Sequence, residues 1–340
     1  MPELKTNTPE AFRQLSNLAS PELGGAIYSV SDEFFAPAKR MLSPTEPVFV
    51  PDLYDQNGKW MDGWESRRKR TAGHDFCVLR ICPGVIRGVE IDTRYFTGNF
   101  PPAASLEACS AAIEPDENTT WTELVPKTVL QGDQRHFFSV DDDNTWSFLR
   151  LNIFPDGGIA RLRVYGEPAS DAATMNRKQW VDLSSSAAGG VALECNNMHY
   201  GDMNNLLSTR PVANMGDGWE TRRRREPGND WVILKLGRKG TICRVEVDTA
   251  FFRGNYPARC TLKGIDLAGM AMEPGALSSI STDWPVILPA VALGPDQLHV
   301  FERQLADAGN VSHVRLDIYP DGGVARLRLL GLPANSTEPV

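Results

Sequence analysis

Signatures of metal and nucleophile chemistry are missing from this 340-residue chain. No His-x-His, His-Glu-x-x-His or Cys-rich spacing marks a metal site. No Gly-x-Ser-x-Gly elbow or phosphate loop occurs, so a Ser or Cys nucleophile is unsupported. The acidic run Asp141 to Asp143 lacks the Gly and distal Glu of a calcium loop. The six cysteines (Cys77, Cys82, Cys109, Cys195, Cys243 and Cys260) form no Cys-x-x-Cys pair, and no basic, apolar, small-residue leader opens the sequence. Together these predict a reducing cytoplasmic setting. Apolar runs fall short of the roughly 18 residues of a membrane span, so no membrane partner is expected. A net charge of -8 argues against nucleic acid.

Positive charge is instead local. Arg67, Arg68, Lys69 and Arg70 form one island, and Arg222, Arg223, Arg224 and Arg225 another. In an acidic chain such islands suggest a small anionic ligand. The alternative is a solvated face offset by neighbouring carboxylates.

Both islands belong to an internal repeat. Asp62-Gly63-Trp64-Glu65-Ser66-Arg67-Arg68 returns as Asp217-Gly218-Trp219-Glu220-Thr221-Arg222-Arg223, an offset of 155 residues. Val89-Glu90-Ile91-Asp92-Thr93 and Phe96-Thr97-Gly98-Asn99-Phe100-Pro101 return as Val245-Glu246-Val247-Asp248-Thr249 and Phe252-Arg253-Gly254-Asn255-Tyr256-Pro257, offset by 156. Pro155-Asp156-Gly157-Gly158-Ile159-Ala160-Arg161-Leu162-Arg163 returns from Pro320 to Arg328, offset by 165. The drift places insertions in loops between fixed motifs. Two domains are therefore expected, at 18–168 and 181–333, with a polar linker at 169–180.

Within a copy the pattern is that of strands. Phe76 to Leu79 and Trp231 to Leu236 are short apolar runs, whereas Val85 to Ile91, Ile242 to Val247, Leu149 to Phe154 and Val314 to Tyr319 alternate. Pro-Asp-Gly-Gly predicts a tight hairpin into Ile159 to Tyr165. Helical periodicity is confined to short candidates such as Thr8 to Leu18. The chain is expected to be all-β, with a sandwich or jelly roll in each copy.

The turn Asp-Gly-Trp-Glu-x-Arg-Arg is the first candidate for chemistry. Arg67, Arg68, Arg222 and Arg223 offer planar donors that match a carboxylate, and Glu65 and Glu220 can hold an amide N–H or move a proton. The same residues would also make a Trp-anchored corner with an inert ion pair. Asp92 with Asn99, and Asp248 with Asn255, suit either a ureido group or the capping of a loop. His136 and His299 are equivalent by position, and each is a general acid–base candidate or a structural histidine. His74 has no histidine counterpart, so the two copies are not expected to be functionally identical.

These doubled motifs closely resemble those of the allantoicase family, from about Leu18 to Pro333. The resemblance implies two tandem jelly-roll β-sandwiches of the galactose-binding or discoidin type. It also implies a hydrolase acting on the C–N bonds of linear amidines, which cleaves allantoate to ureidoglycolate and urea in purine breakdown. Family members are homo-oligomers, and manganese dependence attends some of them. On this basis Arg67 or Arg222 is expected to bind the substrate carboxylate. Glu65 or Glu220 would orient ureido nitrogens or act as base, and His136 or His299 would transfer protons. Two alternatives stay open: a related enzyme acting on ureidoglycolate, and a non-catalytic bivalent ligand-binding protein.

Overall fold

A computed structural model of the chain describes residues 9–110, 114–169, 180–268, 270 and 275–334. They fall into two compact units, Met1–Ala169 and Ser170–Val340. The expected linker, apart from Ala169 and Trp180, lies outside the described residues. No helix among the described residues is long and apolar enough to cross a membrane.

In each unit one long strand carries the architecture, Asp75–Asp92 in the first and Asp230–Asp248 in the second. The apolar runs expected to form separate strands are thus the two halves of one bent strand. The first half pairs antiparallel with Thr145–Phe154, Leu149 opposite Leu79, and with Ala26–Val30. Its second half pairs with Arg161–Pro168, Leu162 opposite Ile91, and with Arg135–Ser139. Ala103–Cys109 and Thr122–Val129 extend the first layer. The corner at Pro83-Gly84 lets one strand serve both layers, because a Cβ on Gly84 would lie 2.4 Å from the carbonyl oxygen of Glu167.

One core fills the space between the layers. Leu79, Ile81, Leu106, Leu149 and Leu151 from one side meet Ile86, Val89, Ile91, Leu162 and Val164 from the other. The second unit repeats the arrangement around Leu234, Val247, Leu262, Leu316 and Leu327. The jelly-roll sandwich expected of each copy is therefore present. Helix is scant, and the first described stretch is helical only over Pro9–Phe12 before the chain turns into the short strand Ser16–Asn17.

Pro-Asp-Gly-Gly differs from expectation. Thr145–Phe154 and Arg161–Pro168 do not pair with each other; both pair with the long strand, so this corner is a crossing between layers rather than a hairpin. The X-Pro peptides at Phe154–Pro155 and Tyr319–Pro320 are both cis. Beyond the corner, Gly158–Ile159 pairs with Trp64–Glu65 and Gly323–Val324 with Trp219–Glu220.

Candidate active site

The three repeated motifs form one structure at the end of each sandwich. Trp64 is fully buried and donates from Nε1 to the Asp32 carbonyl at 2.8 Å, which fixes the direction in which the chain leaves toward Glu65. Asp156 of the Pro-Asp-Gly-Gly corner accepts the Lys69 N–H at 2.8 Å, and the Gly158 N–H reaches the Asn99 carbonyl at 2.7 Å. Glycine is required at this junction: a Cβ on Gly158 would lie 2.0 Å from the Phe96 ring, and Gly157 adopts φ +144°. Arg161 is buried with it, donating to the carbonyls of Thr45 and Asp62 and pairing with the Asp62 carboxylate at 2.7 Å. The arginines of this third motif thus hold loop backbone.

That scaffold brings Glu65 and Asn99 together, with Asn99 Nδ2 donating to Glu65 Oε1 at 2.8 Å. The pair recurs in the second unit, where Asn255 donates to Glu220 at 2.5 Å and also meets the Met215 sulfur at 3.7 Å. Burial pushes the Glu65 carboxyl above its ordinary value, and the Asn99 hydrogen bond opposes the rise.

In the first unit the pair lines a cavity of about 450 Å³, with apolar walls from Phe35, Phe49, Met61 and Tyr95 and polar points from Lys59, Glu65, Thr97, Asn99 and Asp133. Much of the wall comes from a local insertion. Twenty-two positions separate Leu42 from Trp64 but only twelve separate Leu207 from Trp219, and the extra length carries the ribbon Tyr54–Asp55 and Gly58–Lys59. This insertion is also what lowers the repeat offset between Leu18/Leu183 and Glu65/Glu220. Asn57 ties the ribbon to the Phe34 carbonyl at 2.8 Å, Phe49 stacks on Tyr95, and Lys59 Nζ lies 4.4 Å from the Phe49 ring centroid.

Other expected residues fall elsewhere. Arg67 does not line the cavity. Its backbone and side chain are held by Asp32 at 2.8 and 2.7 Å, with the guanidinium 5.3 Å from the Phe34 ring. Burial pushes the Asp32 carboxyl up, but the bonds from Arg67 prevail and hold it below its ordinary value. Arg222 keeps only the backbone half of this arrangement, to Asn197, while Arg68 and Arg223 are exposed. Asp92 is fully buried, caps the Arg94 N–H at 2.8 Å and pairs with the Arg94 guanidinium; Asp248 caps Ala250 in the same way. Both serve the loop backbone.

The histidines are bound to backbone. His136 Nε2 accepts the Gln131 N–H at 2.9 Å while Nδ1 faces the Ile91 carbonyl at 3.2 Å. His299 repeats this with Gly294 and Val247. One nitrogen accepts and the other donates, so each ring is engaged by backbone on both sides. His74 is likewise engaged, with Asn152 and against the Phe154 ring.

Sequence reasoning missed Lys59, Phe35, Phe49 and Tyr95 as site residues. For Lys59 and Phe49 the available signal was the change in repeat offset, which marks where one copy has gained a loop.

An allantoicase-repeat family model matches residues 16–169 and again 181–334. The chain belongs to the allantoicase family. It is 53% identical to a probable allantoicase of Burkholderia pseudomallei, over 97% of this chain and 98% of that one, and 50% identical to a probable allantoicase of Pseudomonas aeruginosa, over 95% and 97%. It also superposes on the crystal structure of Saccharomyces cerevisiae allantoicase with a TM-score of 0.74 at 34% identity, over 94% of this chain and 93% of that one. Manganese finds a poor donor set here: among the described residues no three His, Cys, Asp or Glu side chains gather to hold an ion.

Proposed function

We propose that the chain hydrolyses allantoate to ureidoglycolate and urea, and that the cavity of the first repeat performs the reaction. The observation that carries this reading is the Glu65–Asn99 pair beside Lys59 in an apolar-walled cavity. Allantoate has a carboxylate and two ureido groups on one carbon. Lys59, the cation lining the cavity, takes the carboxylate in place of the arginines first expected. Asn99 and Glu65 take a ureido arm.

Glu65 is the proton carrier. Its ionised form accepts the N–H proton of the retained ureido arm as a C=N bond forms and the bond from carbon to the other arm's nitrogen breaks. The departing nitrogen takes that proton, and urea leaves. Water then adds its oxygen to the imine carbon; a water proton passes through Glu65 to the imine nitrogen, giving ureidoglycolate and returning Glu65 to its starting state. Burial raises the basicity of Glu65, which suits this exchange.

The same reading takes the enzyme to be cytoplasmic and homo-oligomeric. Six free thiols agree with the first point, and exposed Val50, Leu53 and Tyr54 in the insertion offer apolar surface for the second. Urea release by the purified chain, measured with allantoate and separately with ureidoglycolate, tests the assignment. Release from allantoate is expected. Release from ureidoglycolate alone would replace the substrate, and none from either would leave a binding protein.

A further inference from the structure

We propose that Asp133 binds the second ureido arm of the substrate, and that an exchange of one residue has closed the matching position in the second repeat. The inference rests on the allantoate reading above and deepens it, because it names what distinguishes a two-armed substrate from a one-armed one.

Asp133 and Asp296 occupy equivalent left-handed turns, with φ of 55° and 50°. Each spends Oδ1 on a backbone N–H, that of Tyr95 at 2.9 Å and that of Phe251 at 2.7 Å. These partners are themselves left-handed, at φ 69° and 68°, so the two loops have the same backbone build. Non-glycine residues in that region are uncommon, and two in register in both copies mark a loop that its surroundings hold tightly.

The second carboxylate oxygen has a different fate in each repeat. Asp296 Oδ2 takes Arg253 Nε at 2.9 Å, and the residue matching Arg253 in the first repeat is Thr97. Among the described residues no cation pairs with Asp133, which lines the cavity together with Thr97 and Glu65. The Arg253 side chain is 79% exposed, and an ion pair of that kind adds little to stability, so its absence from the first repeat is not a cost to the fold. What it changes is the supply of an unneutralised acceptor facing a ligand.

Allantoate supplies the matching need. With its carboxylate on Lys59 and one arm on Glu65 and Asn99, the other arm still presents N–H donors, for which a carboxylate is the strongest acceptor. A cavity with only the first two stations would hold any ureido acid. Asp133 as a third station favours a ligand that has the second arm, since its exposed carboxylate gains a charge-assisted contact that a one-armed ligand cannot supply.

Asp133→Asn tests this without disturbing the turn. Asparagine tolerates left-handed backbone and keeps an oxygen for the Tyr95 N–H, but places an NH2 where Oδ2 stood. In steady-state assays of the full chain, kcat/KM for allantoate is expected to fall on the order of 100-fold, with the melting midpoint moved by less than about 2 °C. Thr97→Arg, which imports the ion pair of the second repeat, is expected to give a similar loss. Asp296→Asn is expected to stay within about 2-fold of wild type. Ureidoacetate, which has a carboxylate and one ureido arm, serves as a competitive inhibitor; its Ki is expected to change less than about 3-fold in Asp133→Asn.

If Asp133→Asn keeps a third or more of wild-type kcat/KM, or if the ureidoacetate Ki rises in step with the lost activity, the inference is overturned while the allantoate reading stands. Wild-type protein that releases no urea from allantoate would overturn both.

Discussion

Asn99 donates through Nδ2 to Glu65 Oε1 at 2.8 Å, and the bond is repeated between Asn255 and Glu220 at 2.5 Å. Duplication has kept this pair even though its surroundings differ. The insertion bearing Lys59 stands beside the first pair only, and Met215 contacts Asn255 of the second.

Separate replacement of the two glutamates follows from this. Glu65→Gln is expected to lower kcat for urea release by about 100- to 10,000-fold, the span usual for loss of a proton-transfer group. Glu220→Gln is expected to change kcat by less than about 2-fold, as for substitutions outside a catalytic centre. Equal losses in both variants would assign catalysis to both repeats, and unchanged turnover in Glu65→Gln would remove it as the proton carrier.

The pH profile carries a sign. Burial raises the Glu65 carboxyl and Asn99 lowers it, and the proposed reaction needs the ionised form. Activity should therefore rise with pH along an acid limb that lies above the ordinary carboxylate range. Asn99→Leu keeps the volume but removes the lowering bond, so the limb should move to higher pH in a plot of log kcat/KM. A limb that stays in place would belong to another group.

Much of the fold was legible because duplication presents each motif twice. Two Pro-Asp-Gly-Gly segments, two Gly-Trp-Glu turns and period-two alternation around them were enough for paired sandwiches. The corner at Pro83-Gly84 was not, since a proline and a glycine between two apolar runs look like a loop between strands until the Leu79 and Ile91 pairings show one strand serving both layers. Glu65, Glu220, Asn99 and Asn255 were found because they recur. Lys59 and Phe49 lie in the insertion, where a comparison of the copies has nothing to align. His136 and His299 also recur, but for the different reason that each joins two backbone segments. Repetition alone cannot separate a retained fold from a retained site.

Lys59 and Arg67 make competing claims on the substrate carboxylate. Lys59 lines the cavity, whereas Arg67 is committed to Asp32 and has a side chain 63% exposed. Lys59→Met is expected to raise KM for allantoate by about 10- to 100-fold, as for loss of a charge-assisted contact. Arg67→Met is expected to raise it by no more than about 3-fold. The reverse ranking in the same assay would restore the arginine clamp inferred from sequence.

One steric defect, introduced in each repeat in turn, separates stability from activity. A Cβ at Gly158 would lie 2.0 Å from the Phe96 ring, and one at Gly323 would lie 2.0 Å from the ring of Phe252. Both rings are fully buried, so neither can move aside cheaply, and each Gly→Ala change is expected to cost about 1–3 kcal/mol by overpacking. Gly158 also fixes the loop of Asn99 through its N–H, and Gly323 does so for Asn255, at 2.7 and 2.8 Å. Displacing the first loop pulls Asn99 from Glu65, and displacing the second disturbs a pair assigned no catalytic part. Comparable losses in denaturant midpoint are therefore expected for Gly158→Ala and Gly323→Ala, with urea release falling about 10-fold or more only in the first. Equal activity losses at equal stability would show that the second repeat contributes to turnover.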